Sequence, residues 1–293
     1  MAAFDATKLH LPFMKHRFFF VGVSVVFILI SLGFLFTKGL NLGVDFTGGI
    51  VLQVKFEKNV EVSDVRKCLS SIGQGQATIQ AFDKNDIMIR LQAQDEKVRK
   101  QVLDALKKDF NGLTVLKVDK VGPVVGKELR TQAAVSVILA IAAILIYMAF
   151  RFKFRFGVGA VVALMHDSIL MLGAYSITGK EVSVTFIAAI LTIVGYSLND
   201  TIVVLDRVRE NWSQARSLGV LQLIDNSINQ TLSRTINTSL TTLLPVIAMY
   251  IFGGEVISNF AFAFLVGIVV GTYSSIYVAS TIVAEWYIRS PKY

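Results

Sequence analysis

Charged residues are scarce in this sequence, and their scarcity argues against an ordinary soluble domain. They make up 17% of the 293 residues, whereas soluble domains carry about 25%. Hydrophobic residues make up 54%, and the mean hydropathy is +0.60. The formal net charge of +8 does not indicate nucleic acid binding, because several basic residues stand at the ends of apolar runs and set membrane orientation. The composition therefore predicts an integral membrane protein.

Cysteine and histidine are also nearly absent from the chain. Cys68 is the only cysteine, so an internal disulfide is impossible, and we expect a small buried apolar residue at that position. The sequence contains no Cys/His cluster with the spacing of metal ligands. We therefore predict no metal site and no cofactor.

Six runs of residues are long and apolar enough to cross a bilayer as helices. We place the spans at 18–36, 131–150, 156–178, 183–205, 236–252 and 260–284. The first run has 19 uncharged residues and no small-x-small cleavage site after it, so we interpret it as a span and not as a cleavable signal peptide. Pro245 lies inside the fifth span, where neighbouring helices can satisfy the carbonyl that proline frees.

Basic residues are concentrated in alternate short loops, and this pattern indicates the orientation of the chain. Lysine and arginine crowd the segment before the first span, the loops after the second and fourth spans, and the C-terminal tail. By the positive-inside rule we place 1–17, 206–235 and 285–293 in the cytoplasm, with both termini there. Segment 37–130 then lies outside, and its own positive charges do not count because the rule exempts long loops.

Segment 37–130 has the pattern of a folded α+β domain. Its part from residue 38 to residue 120 contains 14 Lys/Arg and 11 Asp/Glu, which is half of all the charge in the chain. Alternation predicts strands at 50–56, 76–82, 87–91 and 113–118, helical spacing predicts helices at 61–72 and 95–110, and a turn is expected at 83–86. The order β-α-β-β-α-β is that of a ferredoxin-like domain. The predicted fold is an all-α membrane bundle of six transmembrane helices with one extracytoplasmic ferredoxin-like domain.

Ionisable residues within the predicted spans are few, and they are functional candidates because a charge in hydrocarbon is costly. His166 and Asp167 fall near the middle of the third span, and Asp200 follows Asn199 toward the cytoplasmic end of the fourth. Arg234 can approach Asp200 if the fifth helix begins about a turn before residue 236. Desolvation favours the neutral acid and a nearby cation favours the carboxylate, so such a pair can exist in two states.

Other interpretations of these polar residues remain open. Asp200 and Asn199 could hold helices together by static hydrogen bonds, as polar groups in membrane bundles often do. His166 and Asp167 could form a static contact or could relay protons. An intramembrane aspartyl protease using Asp167 and Asp200 is a further alternative, but its Gly-x-Gly-Asp signature is absent, because Ser-Leu-Asn precedes Asp200.

Four sequence segments resemble the SecD/SecF family. Residues 43–49, GVDFTGG, are similar to the family signature after the first span, and residues 121–129, VGPVVGKEL, are similar to the segment before the second. Residues 195–211, GYSLNDTIVVLDRVREN, and 233–239, SRTINTS, resemble the family's fourth and fifth spans. The Asn-Asp pair within 195–211 and the His-Asp pair in the third span are typical of the SecF branch.

The resemblance implies a subunit of the Sec protein-export machinery with an RND-type membrane fold in the cell inner membrane. Expected partners are SecD, the SecYEG channel, unfolded preprotein and membrane lipid. It implies proton conduction at Asp200 and Arg234, with His166, Asp167 and Asn199 as candidate relay residues. Protons would be the coupling ion, although some relatives could use sodium. Proton flow would move the outside domain, which would help to draw the exported polypeptide away from the channel.

A coupling role is predicted for the motif Asp45, Phe46, Thr47, Gly48 and Gly49. Its glycines allow a tight backbone turn between the first span and the outside domain. The motif would transmit movement between those two parts of the chain.

The alternative function is an RND-type proton-coupled exporter of small molecules. Such exporters also have carboxylates in their membrane helices. Against this reading, the chain has one small outside domain and no evident apolar pocket of drug size.

Overall fold

The computed structural model describes residues 11–81, 85–91 and 95–290. Residues 1–10, 82–84, 92–94 and 291–293 lie outside the described residues. The predictions for most of the N-terminal tail, for the end of the C-terminal tail and for the first half of the turn at 83–86 fall on them. The chain divides into two compact units. The sheet unit comprises Leu42–Ser136 and Val182–Val184, and the helical unit comprises the segment ending at Asn41, Val137–Glu181, and the segment from Thr185 onward.

The elements follow one another in the order that the sequence predicts. The first part contains α1 Arg17–Thr37, β1 Asn41–Leu42, α2 Val44–Thr47, β2 Gly49–Lys55, α3 Val62–Ser71, β3 Thr78–Ala81, β4 Asp86–Leu91, α4 Glu96–Asp109 and β5 Thr114–Val121. The second part contains α5 Pro123–Arg151, α6 Phe154–Thr178, β6 Glu181–Val182, α7 Val184–Glu210, α8 Ala215–Leu218, α9 Val220–Phe252, α10 Gly254–Ser274 and α11 Ser280–Arg289. A 3-10 turn, Phe13–His16, precedes α1, and a π-helical turn, Ser275–Ala279, joins α10 to α11.

Among the described residues, six helices are long and apolar enough to cross a membrane, as predicted. Their bounds are Phe13–Thr37, Val124–Arg151, Phe154–Thr178, Val184–Leu218, Val220–Phe252 and Val256–Arg289. Several of these helices are longer than the predicted spans, because a helix continues into the interface after its apolar run ends. The predicted bilayer boundaries themselves remain predictions.

The segment predicted as a cytoplasmic loop, 206–235, is largely helical, and its place in the cytoplasm remains a prediction. Helix α7 continues to Glu210, a 3-10 turn covers Asn211–Gln214, and α9 begins at Val220. The apolar run that was used to place the fifth span begins late because the first half of α9 is amphipathic. That half buries Leu223, Ile224 and Ile228 and keeps polar residues between them.

The sheet unit contains a four-stranded antiparallel sheet with the order β3-β4-β2-β5. Alternate residues of β2 and β4 point into one core, which is why both strands read as alternating apolar sequences. The core is formed by Ile50, Leu52, Val54, Phe56, Val65, Cys68, Leu69, Ala77, Ile87, Ile89, Leu91, Val102 and Leu106. Residues of α3 and α4 fill this core, and Cys68 is buried as expected.

Glycines allow close packing of helices within the helical unit. A Cβ at Gly267 of α10 would overlap the side chain of Ile193 on α7, and a Cβ at Gly271 would lie 2.9 Å from the Cβ of Ser197. The two glycines lie one turn apart and therefore bring α10 against one face of α7. Small residues commonly serve this purpose in membrane helices, where backbones must approach closely. This contact brings the polar residues of α7 and α10 together.

Candidate functional site

Asp167 on α6 is enclosed within the bundle, and both of its carboxylate oxygens have partners. The residue is 2% exposed. Its Oδ1 lies 2.8 Å from Nδ1 of His166, and its Oδ2 accepts hydrogen bonds from the hydroxyls of Ser197 at 2.5 Å and Ser274 at 2.8 Å. Because Ser197 belongs to α7 and Ser274 to α10, one carboxylate joins three helices. Hydrogen bonds to a charged group are worth about 1.5–3 kcal/mol each.

His166 extends this network toward α1. The residue is 3% exposed, and its Nε2 has no hydrogen-bond partner within the described part of the chain. Its ring stacks on the ring of Tyr273, with 6.1 Å between the centroids. The Tyr273 hydroxyl lies 2.9 Å from the hydroxyl of Ser24 and donates to the carbonyl of Phe20 at 2.6 Å. The predicted pair of His166 and Asp167 is thus brought together and connected to a fourth helix.

Asp200 on α7 is also buried, but it lacks the partners that Asp167 has. It is 2% exposed, and its Oδ2 makes no hydrogen bond to any described residue. The buried hydroxyls of Thr201 and Thr235 are likewise without a hydrogen-bond partner in the described part of the chain. A buried carboxylate oxygen without a partner is costly unless the group is protonated or paired with a cation. Asp200 therefore has the free capacity to bind a proton.

Arg234 lies within α9, more than three turns after the helix begins. The fifth helix therefore begins well before residue 236, as the approach of Arg234 to Asp200 requires. Its guanidinium lies within electrostatic range of Asp200, but Oδ2 of Asp200 accepts no hydrogen bond from it. Arg234 is exposed, whereas its neighbour Thr235 is buried. Asp200 and Arg234 are thus near one another but are not joined by an ion pair or a hydrogen bond in the described part of the chain.

Asn199 does not join this group. It is exposed, whereas Ser197 and Asp200 on the same helix are buried. Successive residues of a helix point about 100° apart, so Asn199 cannot share the face of its neighbour. The structure thus separates the two halves of the Asn-Asp pair.

Ser197 and Ser274 are the site residues that sequence reasoning missed. Ser197 lies in the segment 195–211 that carries the family resemblance, but neither it nor Ser274 is a candidate site residue by sequence alone. The available signal was weak, because serine is common in membrane helices and the two residues lie far from Asp167 along the chain. A π-helical turn begins directly after Ser274, and such turns are frequent at functional sites.

The predicted coupling motif forms a compact turn in the sheet unit. Asp45 accepts a hydrogen bond from the backbone N–H of Val184 at 3.0 Å, and the carbonyl of Phe46 accepts one from Arg130 at 2.7 Å. Thr47 ends the one-turn helix α2, and its hydroxyl donates to the carbonyl of Gly43 at 3.1 Å. The motif therefore contacts Arg130, in the third turn of α5, and Val184, the first residue of α7.

Two glycines of the motif have backbone conformations that favour glycine. Gly48 has φ 72° and Gly49 has φ 137°. A Cβ at Gly49 would also overlap the carbonyl of Leu91 on β4. Both glycines are therefore required by backbone geometry, which agrees with the tight turn predicted for them.

No group of three or more His, Cys, Asp or Glu residues within the described ranges could hold a metal ion. The polar groups of the bundle are instead one satisfied carboxylate and one free carboxylate beside an arginine. Taken with the six apolar helices, these groups define a polytopic membrane protein with enclosed acids.

Comparisons with known proteins agree with that class and identify the family. The sequence model of the SecD/SecF export membrane protein C-terminal family matches residues 101–289, and that of the SecD/SecF GG motif matches residues 33–60. The chain belongs to the SecD/SecF family of protein export membrane proteins.

Several relatives are similar over almost their whole length. The chain is 42% identical to protein translocase subunit SecF of Desulfurispirillum indicum, over 94% of this chain and 92% of the relative. It is 44% identical to the SecF subunit of Calditerrivibrio nitroreducens, over 92% of this chain and 91% of the relative. It is 43% identical to protein translocase subunit SecDF of Thermus thermophilus, of which it covers 38%.

Solved structures show the same fold. A crystal structure of SecDF from Thermus thermophilus, described as a translocon-associated membrane protein, matches with a TM-score of 0.90 and 41% identity. The match covers 97% of this chain and 39% of that chain. A crystal structure of SecDF in a super-membrane-facing form matches with a TM-score of 0.72. This chain therefore corresponds to about two fifths of the longer SecDF polypeptide.

Proposed function

We propose that this chain is an accessory subunit of the Sec protein-export translocase that uses the proton motive force to assist preprotein translocation. The observation that carries the proposal is the buried carboxylate of Asp200, which has a free oxygen beside the charge of Arg234 in a member of the SecD/SecF family. Protons are the proposed coupling ion, with sodium as the variant to be tested. No organic cofactor or metal enters this mechanism.

The proposed cycle alternates between two states of one acid. When Asp200 is ionised, Arg234 stabilises it; when Asp200 is protonated, that attraction is lost and α7 and α9 can shift. The membrane potential adds about 2.3 kcal/mol for each elementary charge that crosses 100 mV. That energy is sufficient to bias a two-state equilibrium by more than tenfold.

His166 and Asp167 are proposed as a relay beside Asp200. Ser197 hydrogen-bonds to Asp167 and lies one helical turn before Asp200, so a hydroxyl stands between the two acids along α7. The unpartnered Nε2 of His166 offers a further proton site. Asn199 is the least supported relay member, because it faces away from this group.

The sheet unit is proposed to be an extracytoplasmic ferredoxin-like domain that moves with the membrane cycle. Its β-α-β-β-α-β order and its strand order β3-β4-β2-β5 support this assignment. The motif of Asp45 to Gly49 is proposed to couple α1 to this domain.

The partners and location follow from the family. A relative in which SecD and SecF form one polypeptide supports pairing with SecD. SecYEG and the emerging unfolded preprotein are the further proposed partners. We propose a multi-pass location in the cell inner membrane with both termini in the cytoplasm, on the distribution of Lys and Arg.

The function is tested by preprotein translocation into inverted membrane vesicles that contain this chain with its SecD partner. Asp200→Asn should abolish the stimulation of translocation by a proton gradient, because the residue can no longer gain or lose a proton. Glu210→Gln, at the exposed end of the same helix, is the matched control and should keep the stimulation.

Two outcomes would contradict the proposal. Normal gradient dependence in the Asp200→Asn variant would remove the residue from energy coupling. Gradient-driven efflux of dyes without an effect on secretion would favour the small-molecule exporter instead. Replacing the proton gradient by a sodium gradient in the same vesicles identifies the coupling ion.

A further inference from the structure

The segment that precedes the first membrane helix is bound to α9 through its own backbone. Asn229 accepts a hydrogen bond from the N–H of Leu11 at 3.0 Å and donates one to the carbonyl of Leu11 at 2.9 Å. One turn earlier on α9, Asp225 accepts a hydrogen bond from the N–H of Met14 at 2.7 Å. These three bonds join parts of the chain that lie more than 200 residues apart. We call this contact the N-terminal clasp.

Apolar packing makes the clasp continuous with the bundle. Phe13 and Met14 are buried in the same core cluster as Leu223, Ile224 and Ile228 of α9. Asn229 itself is only 8% exposed. The polar bonds therefore lie beside a packed apolar contact, where water competes little and hydrogen bonds are stronger.

The clasp also reaches the end of α11. Arg17, the first residue of α1, forms an ion pair with Glu285 at 2.9 Å and donates to the carbonyl of Met14 at 2.9 Å. Tyr277, in the π-helical turn, stacks on Phe20 of α1 with 3.9 Å between the ring centroids. The start of α1 is thus held from two sides, by α9 and by the last span.

We infer that Asp225 and Asn229 are positioning residues that make α1 and α9 move as one body. Arg234 lies five residues after Asn229 on the same continuous helix, and α1 leads along the chain into the motif of Asp45 to Gly49. The clasp is therefore a mechanical route from the Asp200–Arg234 pair to α1. This inference rests on the proposed function, whose energy-coupling step it extends.

The geometry favours a coupling contact over simple packing. The side chains of Asp225 and Asn229 both bind backbone groups, and Asn229 pairs with both the N–H and the carbonyl of Leu11. The contact therefore fixes the register of segment 11–16 along α9 as well as its position. The apolar packing of Phe13 and Met14 acts together with these bonds to hold the segment on α9. A register that is fixed by hydrogen bonds transmits a displacement.

The test compares variants in the vesicle translocation assay with the SecD partner present. Asn229→Ala removes two of the three bonds, and we expect it to reduce the stimulation by a proton gradient at least threefold while the amount of membrane-inserted protein stays normal. Gln222→Ala, an exposed position in the same half of α9, is the matched control and should leave the stimulation unchanged. Asp225→Asn keeps an oxygen acceptor for Met14 and should retain more stimulation than Asp225→Ala.

A reversible cross-link separates coupling from folding. In a Cys68→Ser background, Leu11→Cys and Asn229→Cys should form a disulfide on oxidation, detected by peptide mass mapping. The oxidised form should recover the gradient stimulation, and reduction should remove it again in the same vesicles. A clasp that only assists folding would not respond to reduction after the protein has folded.

Each outcome decides the inference. Normal stimulation in Asn229→Ala, failure of the disulfide to form, or loss of stimulation on oxidation would overturn it. If the unmodified protein shows no gradient stimulation at all, the proposed function itself has failed. If Asp200→Asn abolishes stimulation and Asn229→Ala does not, only the clasp inference has failed.

Discussion

At the scale of single residues, two buried acids differ in whether their hydrogen-bonding capacity is filled. Asp167 has a partner on each oxygen, whereas Oδ2 of Asp200 has none among the described residues. A carboxylate with a partner on each oxygen holds the helices that supply those partners in place. An acid with a free oxygen can change state. The same residue type thus forms an anchor at Asp167, whereas at Asp200 it is the acid that we propose as a switch.

The anchor predicts coupled stability effects of its two serines. Ser197→Ala and Ser274→Ala each remove one donor to Oδ2 of Asp167 and should lower the free energy of unfolding by about 1–3 kcal/mol. The loss of unfolding free energy in the double variant should differ from the sum of the two single losses by about 0.5 kcal/mol or more, because the two donors share one acceptor atom. Thermal unfolding of the purified protein in detergent measures this, and strict additivity would argue against a shared site.

Cys68 gives a pH-dependent prediction in the sheet unit. Burial raises the pKa of its thiol to about 11, and the side chain of Asp109 contributes in the same direction. Only the thiolate reacts with alkylating reagents, so at pH 8.5 Cys68 should react roughly a hundredfold more slowly than an exposed cysteine of ordinary pKa. Labelling should accelerate as the pH rises toward 11. The exposed control is Ser63→Cys in a Cys68→Ser background, and equal rates would contradict the burial.

At the scale of elements, helices α6, α7 and α10 are joined by small residues and by the anchor together. Gly267 and Gly271 bring α10 onto α7, and Ser274 follows on the same helix to reach Asp167. Close packing of this kind leaves little tolerance for added volume. The short helix α2 behaves similarly in the sheet unit, since its motif depends on two glycines with positive φ.

Gly48→Val tests the coupling motif at this scale. The substitution forces a β-branched residue into a left-handed conformation with φ 72°, at a cost of about 1–2 kcal/mol, and should reduce gradient-stimulated secretion. Gly73→Val is the matched control, because Gly73 has φ 75° in the same unit but lies outside the motif. If both variants secrete equally well, the motif has no coupling role.

At the scale of the whole molecule, orientation in the membrane determines how a proton gradient can act on the chain. In the proposed orientation, with both termini inside, the sheet unit would face outward and the clasp would lie at the cytoplasmic surface. This topology predicts how single cysteines in a Cys68→Ser background are labelled.

Ser63 and Ser217 are both exposed, so a cysteine at either position can react with a maleimide that reaches it. Ser63→Cys should react with a membrane-impermeant maleimide added to spheroplasts, and Ser217→Cys should react only after the membrane is opened. The reverse pattern would invert the topology.

Much of the fold could be predicted because its signals are local along the chain. The six apolar runs and the strands of the sheet unit were found by length and periodicity, and their order is confirmed. The run at 236–252 located the fifth span, but helix α9 begins 16 residues before it, because the first half of the helix is amphipathic and lies outside the apolar run. The candidate acids were found since charge is rare in hydrocarbon.

The sequence by itself determined that the chain has six helices able to cross a membrane, and it located the few ionisable groups that the bundle must accommodate. Tertiary structure alone decided which of those groups is satisfied: Ser274 reaches Asp167 across 107 positions, and nothing comparable reaches Oδ2 of Asp200 within the described residues. It also decided that segment 11–16 is bound by α9. Hydropathy is read from neighbouring residues, whereas the satisfaction of a hydrogen bond depends on which distant residues the fold brings within 3 Å or so of one another.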